Sequence, residues 1–167
     1  LKELCDYGKS KGVDIVVWRS WNGLPVQLGP GLDTTEKRIA FFQNLNNCGA
    51  VGVKIDYMNY ESVEQMKFYM DTLREAAEYN IMINFHGANK PRGEVRTYPN
   101  EMTREGIWGL EHNKMPEYAL PPHHYSVLPF TRLLAGHADF TPTTFQKEKL
   151  YGTTFTLQLA SAIIITS

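Results

Sequence analysis

From Lys11 to His86 the chain alternates short β-branched runs with amphipathic helical text, and this alternation limits the possible folds more than any other feature. Val13-Asp14-Ile15-Val16-Val17-Trp18 and Val51-Gly52-Val53-Lys54-Ile55-Asp56-Tyr57 read as buried strands behind Gly12 and Gly49. Between them, Asp33 and Glu36 have capping-box spacing, and Ile39, Phe42 and Leu45 share a helical face that Gly49 terminates. A second helix starts at Ser62 with Gln65 three residues on, turns Met66, Tyr69, Met70, Leu73 and Ala77 inward, and ends at Tyr79-Asn80. Ile81-Met82-Ile83-Asn84-Phe85-His86 reads as a third strand. Strand, helix, strand, helix, strand predicts an α/β fold with a parallel sheet and right-handed crossovers.

A doubly wound sheet and an eight-stranded barrel both satisfy that pattern. No Gly-x-Gly-x-x-Gly turn and no phosphate-binding Gly-x-x-x-x-Gly-Lys-Ser/Thr loop is present, so the nucleotide-binding doubly wound fold lacks its usual mark. Arg19, Asp56 and His86 stand at or just past strand ends, where barrel enzymes carry their chemistry. The expectation is therefore part of a (β/α)8 TIM barrel, with residues 1–167 forming one partial catalytic domain.

The chain has 167 residues, 43% of them hydrophobic, and 17 Lys plus Arg against 18 Asp plus Glu, a balance that suits a globular body and gives no reason to expect nucleic acid as a partner. No apolar stretch approaches the ~18 residues of a membrane span, and no charged-then-apolar leader opens the sequence. Leu1 sits in helical text and the chain closes on Ile163-Ile164-Ile165, read as a further strand, so an internal piece of a longer protein is expected. Cys5 and Cys48 read as buried thiols.

The region 87–125 is irregular, with five of the chain's nine prolines and the histidines His112, His123 and His124. A loop of this length in a compact domain reads as functional. Residues 129–135 and 153–162 look helical again.

Lys54 and Asp56 point to one side of their strand, and a cation there keeps the carboxylate ionised, as a nucleophile or a charge stabiliser needs; a strand-end cap of the next helix, or a pair with Lys54 alone, is the other reading. Glu105 and Glu111, six residues apart around a glycine-rich bend, are placed either to converge on a hard cation or substrate oxygen, or to pair with Arg96 and Arg104. Trp18, Trp21 and Trp108 are each a sugar-stacking surface or core. Serine and cysteine nucleophiles are disfavoured, since there is no Gly-x-Ser-x-Gly elbow and Cys48 has no neighbouring histidine.

In combination, Gly52-Val53-Lys54-Ile55-Asp56-Tyr57-Met58, Asn84-Phe85-His86-Gly87, Pro91-Arg92-Gly93, Arg96-Thr97-Tyr98-Pro99-Asn100, Arg104-Glu105 and Gly109-Leu110-Glu111 resemble the catalytic barrel of glycoside hydrolase family 97, calcium-dependent bacterial α-glycosidases. Inverting members carry a glutamate base directly after the strand-end histidine, where this chain has Gly87; retaining members carry a strand-end aspartate, as at Asp56. The resemblance thus implies the retaining, α-galactosidase-like branch, with Asp56 as nucleophile and Glu111 as acid/base. A retaining pair requires carboxyls about 5 to 5.5 Å apart. It also implies Glu105 and Glu111 as ligands of a Ca2+ ion completed by an N-terminal β-sandwich domain absent here, along with the C-terminal regions of the family. Lys54, His86 and Trp18 are implied as contacts to an oligosaccharide or α-glycoside, and the location as periplasmic or secreted. An α-glucosidase, a β-L-arabinopyranosidase or a non-catalytic carbohydrate-binding barrel are the competing expectations.

Overall fold

The computed structural model describes residues 1–24, 29–58 and 60–165, which divide into two compact units. The first comprises residues 1–89 and 93–103, the second residues 90–92 and 104–167.

The first unit is built on the strands β1 (Val16–Ser20), β2 (Gly52–Asp56), β3 (Met82–Phe85) and β4 (Glu101–Arg104, its last residue belonging to the second unit). They lie in chain order β1-β2-β3-β4, without the reversal that marks a doubly wound sheet. Both β1 with β2 and β2 with β3 are parallel, in a register that aligns Trp18 with Lys54 and Asn84, and Ser20 with Asp56. The crossovers are α2 (Thr35–Cys48) and α3 (Val63–Ala77), and α1 (Lys2–Ser10) precedes β1.

Alternation along the strands sorts their two faces. Val53, Ile55, Ile83 and Phe85 are fully buried in one core with Phe42, Leu45, Tyr69 and Leu73 of the helices. Their neighbours Trp18, Lys54, Asp56 and Asn84 occupy the other face and are only half-buried. One face packed on helices and the other left to polar side chains is the layering of a barrel segment.

The helix starts follow local chemistry. Ser62 caps α3 by accepting the Gln65 N–H at 3.1 Å, as expected. For α2 the cap is Thr34, whose hydroxyl accepts the Lys37 N–H, while the expected cap Asp33 instead pairs with Lys37 at 2.8 Å. Met70 and Ala77 face outward rather than inward; Phe68, Thr72 and Ala76 take the buried positions, and α3 stops at Ala77.

Arg38 and Glu75 join α2 to α3 in a buried two-point ion pair. The guanidinium also donates to Leu32 O and Thr35 Oγ1, so its donors are used on both sides. Removing one partner of such a pair strands a charge in the core. Glu75→Ala is expected to destabilise the fold by about 3 to 5 kcal/mol, read as a lower denaturant midpoint, and Arg38→Leu combined with Glu75→Leu should cost less than Glu75→Ala alone.

The second unit is held by a core of Leu110, Leu120, Tyr125, Leu128, Phe140 and Ile165. Its elements are 3-10 turns, including Leu110–Lys114, Leu128–Phe130 and Arg132–Ala135, with the helices α4 (Pro122–Val127) and α5 (Phe155–Ile164). The expected strand at Ile163-Ile164-Ile165 is not formed: Ile163 and Ile164 close α5 and Ile165 follows in a turn, while Thr166 and Ser167 lie outside the described residues. The Thr154 hydroxyl caps α5 at Leu157 N–H, and the hydrogen bond gained by each residue added to a nucleated helix offsets the small β-branched penalty.

Candidate active site

Asp56 ends β2 on the half-buried face, with its side chain 18% exposed. Trp18, two residues before Ser20 on the neighbouring strand, donates its indole N–H to Asp56 Oδ2 at 2.9 Å. Tyr57 donates its backbone N–H to Oδ1 at 2.7 Å. Tyr57 has φ 72°, a left-handed conformation that a bulky residue adopts only under constraint, and its ring meets Trp18 edge-on at 5.7 Å. This strained turn directs the amide back onto the carboxylate. Each Asp56 oxygen therefore has one donor fixed in place and lone-pair capacity left over.

His86, just past β3, brings Nδ1 to 3.9 Å from Asp56 Oδ2. Its position follows from the parallel register, with its N–H donated to Ile55 O at 2.7 Å. Gly87 next to it has φ 58°, a backbone that a glutamate at this position would adopt only with strain.

Lys54 lies on the same strand face, two residues before Asp56, but the pair that stood as the other reading is not made: among the described residues Lys54 has no ion pair, and neutral N–H donors hold the carboxylate instead. Arg19 alternates to the opposite face, where its guanidinium sits 4.7 Å from the Phe41 ring centre. It is therefore no part of this group.

In the second unit, Glu111 occupies the first turn of Leu110–Lys114 and is exposed. It lines a cleft of about 400 Å³ together with Leu110, Asn113, Thr141, Thr144 and Lys149. Buried Asn113 ties that turn down, donating to Lys149 O at 2.8 Å and accepting the Leu120 N–H at 2.9 Å. The bend leading into it packs closely at Gly109, where a Cβ would stand 3.0 Å from Thr141 N.

Glu105 is half-buried, and its backbone is fixed by a residue that sequence reasoning missed. Arg132 donates to the carbonyls of Arg104, Glu105, Gly106, Gly136 and His137 at 2.8 to 3.0 Å. Burial, and secondarily the charge of Arg104, push its pKa down to about 10, which leaves it cationic at neutral pH. An arginine in text that reads as helical carries no sequence signal for this role.

A calcium ion takes six to eight oxygen ligands. Among the described residues no group of three or more His, Cys, Asp or Glu side chains converges on a possible metal position. Glu105 and Glu111 thus supply at most part of a shell, and these residues do not make a calcium site by themselves.

Among the described residues no helix is long and apolar enough to cross a membrane. A family model described as Glycoside hydrolase 97 matches residues 1–107, which include Trp18, Lys54, Asp56, His86 and Glu105 and stop short of Glu111. A probable retaining alpha-galactosidase of Streptomyces bingchenggensis is 36% identical over 147 residues, covering 88% of this chain and 21% of the relative. A retaining alpha-galactosidase of Bacteroides thetaiotaomicron is 32% identical over 149 residues, covering 84% and 20%. The chain thus spans about a fifth of the length of these curated relatives. Among solved structures, a beta-arabinopyranosidase superposes with a TM-score of 0.74 at 26% identity, over 98% of this chain and 28% of that one. A family 97 enzyme of Pseudoalteromonas sp. in complex with acarbose gives 0.73 at 29%, over 89% and 24%. With its consecutive parallel strands and its strand-end carboxylate, the chain is part of a (β/α)8 barrel and belongs to glycoside hydrolase family 97.

Proposed function

We propose that the protein to which this chain belongs hydrolyses terminal α-galactosides with retention of configuration. The observation that carries the reading is Asp56, a half-buried carboxylate at a parallel strand end, anchored by two neutral N–H donors and left with open lone pairs. In the first step one Asp56 oxygen attacks the anomeric carbon while Glu111 protonates the departing glycosidic oxygen. In the second, Glu111 takes a proton from water, which displaces Asp56 and releases the sugar. Trp18 holds the nucleophile through its single N–H, which makes it a positioning residue. Lys54 and His86, on the same side of the sheet, grip sugar hydroxyls.

The galactoside preference rests on the names of the curated relatives. A second reading, a β-L-arabinopyranoside of matching ring stereochemistry, is favoured by the beta-arabinopyranosidase among the structural neighbours. Calcium belongs to the proposal as an ion that Glu105 and Glu111 help to hold, with the remaining ligands coming from other segments of the full-length protein, such as an N-terminal β-sandwich; when bound it would orient substrate hydroxyls. A periplasmic or secreted location is proposed on family membership alone.

Proton NMR of the first-formed product from a nitrophenyl α-galactoside tests the reading. The α-anomer should accumulate before mutarotation; initial release of the β-anomer, or no cleavage of α-galactoside, α-glucoside or β-L-arabinopyranoside, would refute it.

A further inference from the structure

Trp108 is 58% exposed, although Leu110 after it belongs to the core of the second unit and the half-buried Ile107 before it packs against that core. Its backbone and ring are nonetheless fixed. The carbonyl accepts a hydrogen bond from His124 Nε2 at 2.9 Å, which places the imidazole proton on that nitrogen because a carbonyl only accepts. The indole stacks on His112 with ring centres 4.9 Å apart and planes 26° from parallel. His112 thus lies against one face of the indole, while more than half of the Trp108 surface stays exposed among the described residues.

Among the described residues this large, fixed aromatic ring contributes to neither apolar core, and it is well suited to binding, since its ordering cost is already met before a ligand arrives. Its place in the chain identifies the ligand. Three residue steps separate Trp108 from Glu111, so their Cα atoms lie at most about 11 Å apart. That is the reach of the group attached to the glycosidic oxygen that Glu111 protonates.

We propose that Trp108 is the stacking platform for the leaving group, a pyranose or aromatic ring whose C–H edge or face meets the π-surface backed by His112. The inference rests on the glycosidase reading above and extends it from the galactose to what the galactose is attached to. Because the contact is lost as the leaving group departs, the platform acts on selection between α-galactosides.

The test compares the full-length protein with Trp108→Ala and Trp108→Phe on an α-1,6-galactosyl disaccharide and on α-galactosyl fluoride, whose leaving group has no ring. Trp108→Ala should lower the ratio of kcat/KM for disaccharide over fluoride by about threefold to tenfold, as one aromatic contact would, and Trp108→Phe should restore most of it. An unchanged ratio overturns the platform, whether or not both rates fall. A protein that cleaves neither substrate sinks the α-galactosidase reading instead. The platform is then read by calorimetric titration of the same disaccharide into the unsubstituted protein and Trp108→Ala, where a Kd raised by a similar factor supports it and equal Kd values overturn it.

Discussion

Replacing Asp56 by glycine in the full-length protein is expected to cut turnover of a nitrophenyl α-galactoside on the order of 10⁴-fold, the scale seen when a member of a covalent catalytic unit is removed. The same change leaves a specific cavity. Trp18 Nε1 and Tyr57 N, which bond the two carboxylate oxygens at 2.9 and 2.7 Å, keep their positions because β1 holds the first and the left-handed turn holds the second. Two N–H groups directed into the space of a lost anion suit a small replacement anion. Azide should therefore restore part of the activity and give the β-galactosyl azide, having attacked from the side that Asp56 occupied. Unaltered turnover in Asp56→Gly would remove this residue from the reaction.

Glu111→Ala should behave differently, because loss of a proton donor is felt in proportion to how much the leaving group needs the proton. Disaccharides and alkyl galactosides are expected to lose on the order of 10² to 10⁴ in kcat/KM, whereas a dinitrophenyl galactoside, whose phenolate departs unaided, should lose far less. Without a base for water, release from the covalent intermediate becomes slow, so the dinitrophenyl substrate should show a burst followed by a low steady rate. Azide needs no deprotonation and should relieve that step, giving the α-galactosyl azide. The opposite configurations of the two azide products separate the roles of the residues. Equal losses for all leaving groups would assign Glu111 to folding or binding.

The parts of the fold legible in sequence are those set by local physics. β-branched runs became β1, β2 and β3, and Ser62 and Gly49 delimit their helices because a side-chain oxygen or an absent Cβ solves the same terminal problem anywhere. Parallel order then placed Asp56 and His86 at adjacent strand ends. What escaped depends on long-range contacts. β4 forms in proline-rich text because β3 offers an unpaired edge, with Ile83 N–H reaching Asn100 O at 2.8 Å. Arg19 reads like a strand-end functional cation until alternation turns it onto Phe41. The five carbonyls gathered by Arg132 come from two loops about 30 residues apart, and nothing in either loop announces the other. The strain at Tyr57 is likewise invisible in its identity, since tyrosine gives no hint of a left-handed conformation.

The most direct measurement is covalent trapping. A galacto-configured cyclitol aziridine presents an electrophilic carbon where the anomeric carbon would sit, and a carboxylate nucleophile opens the ring to an ester that cannot turn over. Incubation with the full-length protein followed by peptide mass mapping should find one adduct per chain, on Asp56 within the segment Gly52–Asp56 and its flanks. Inactivation with the adduct on any other residue would contradict the assignment of Asp56 as the nucleophile.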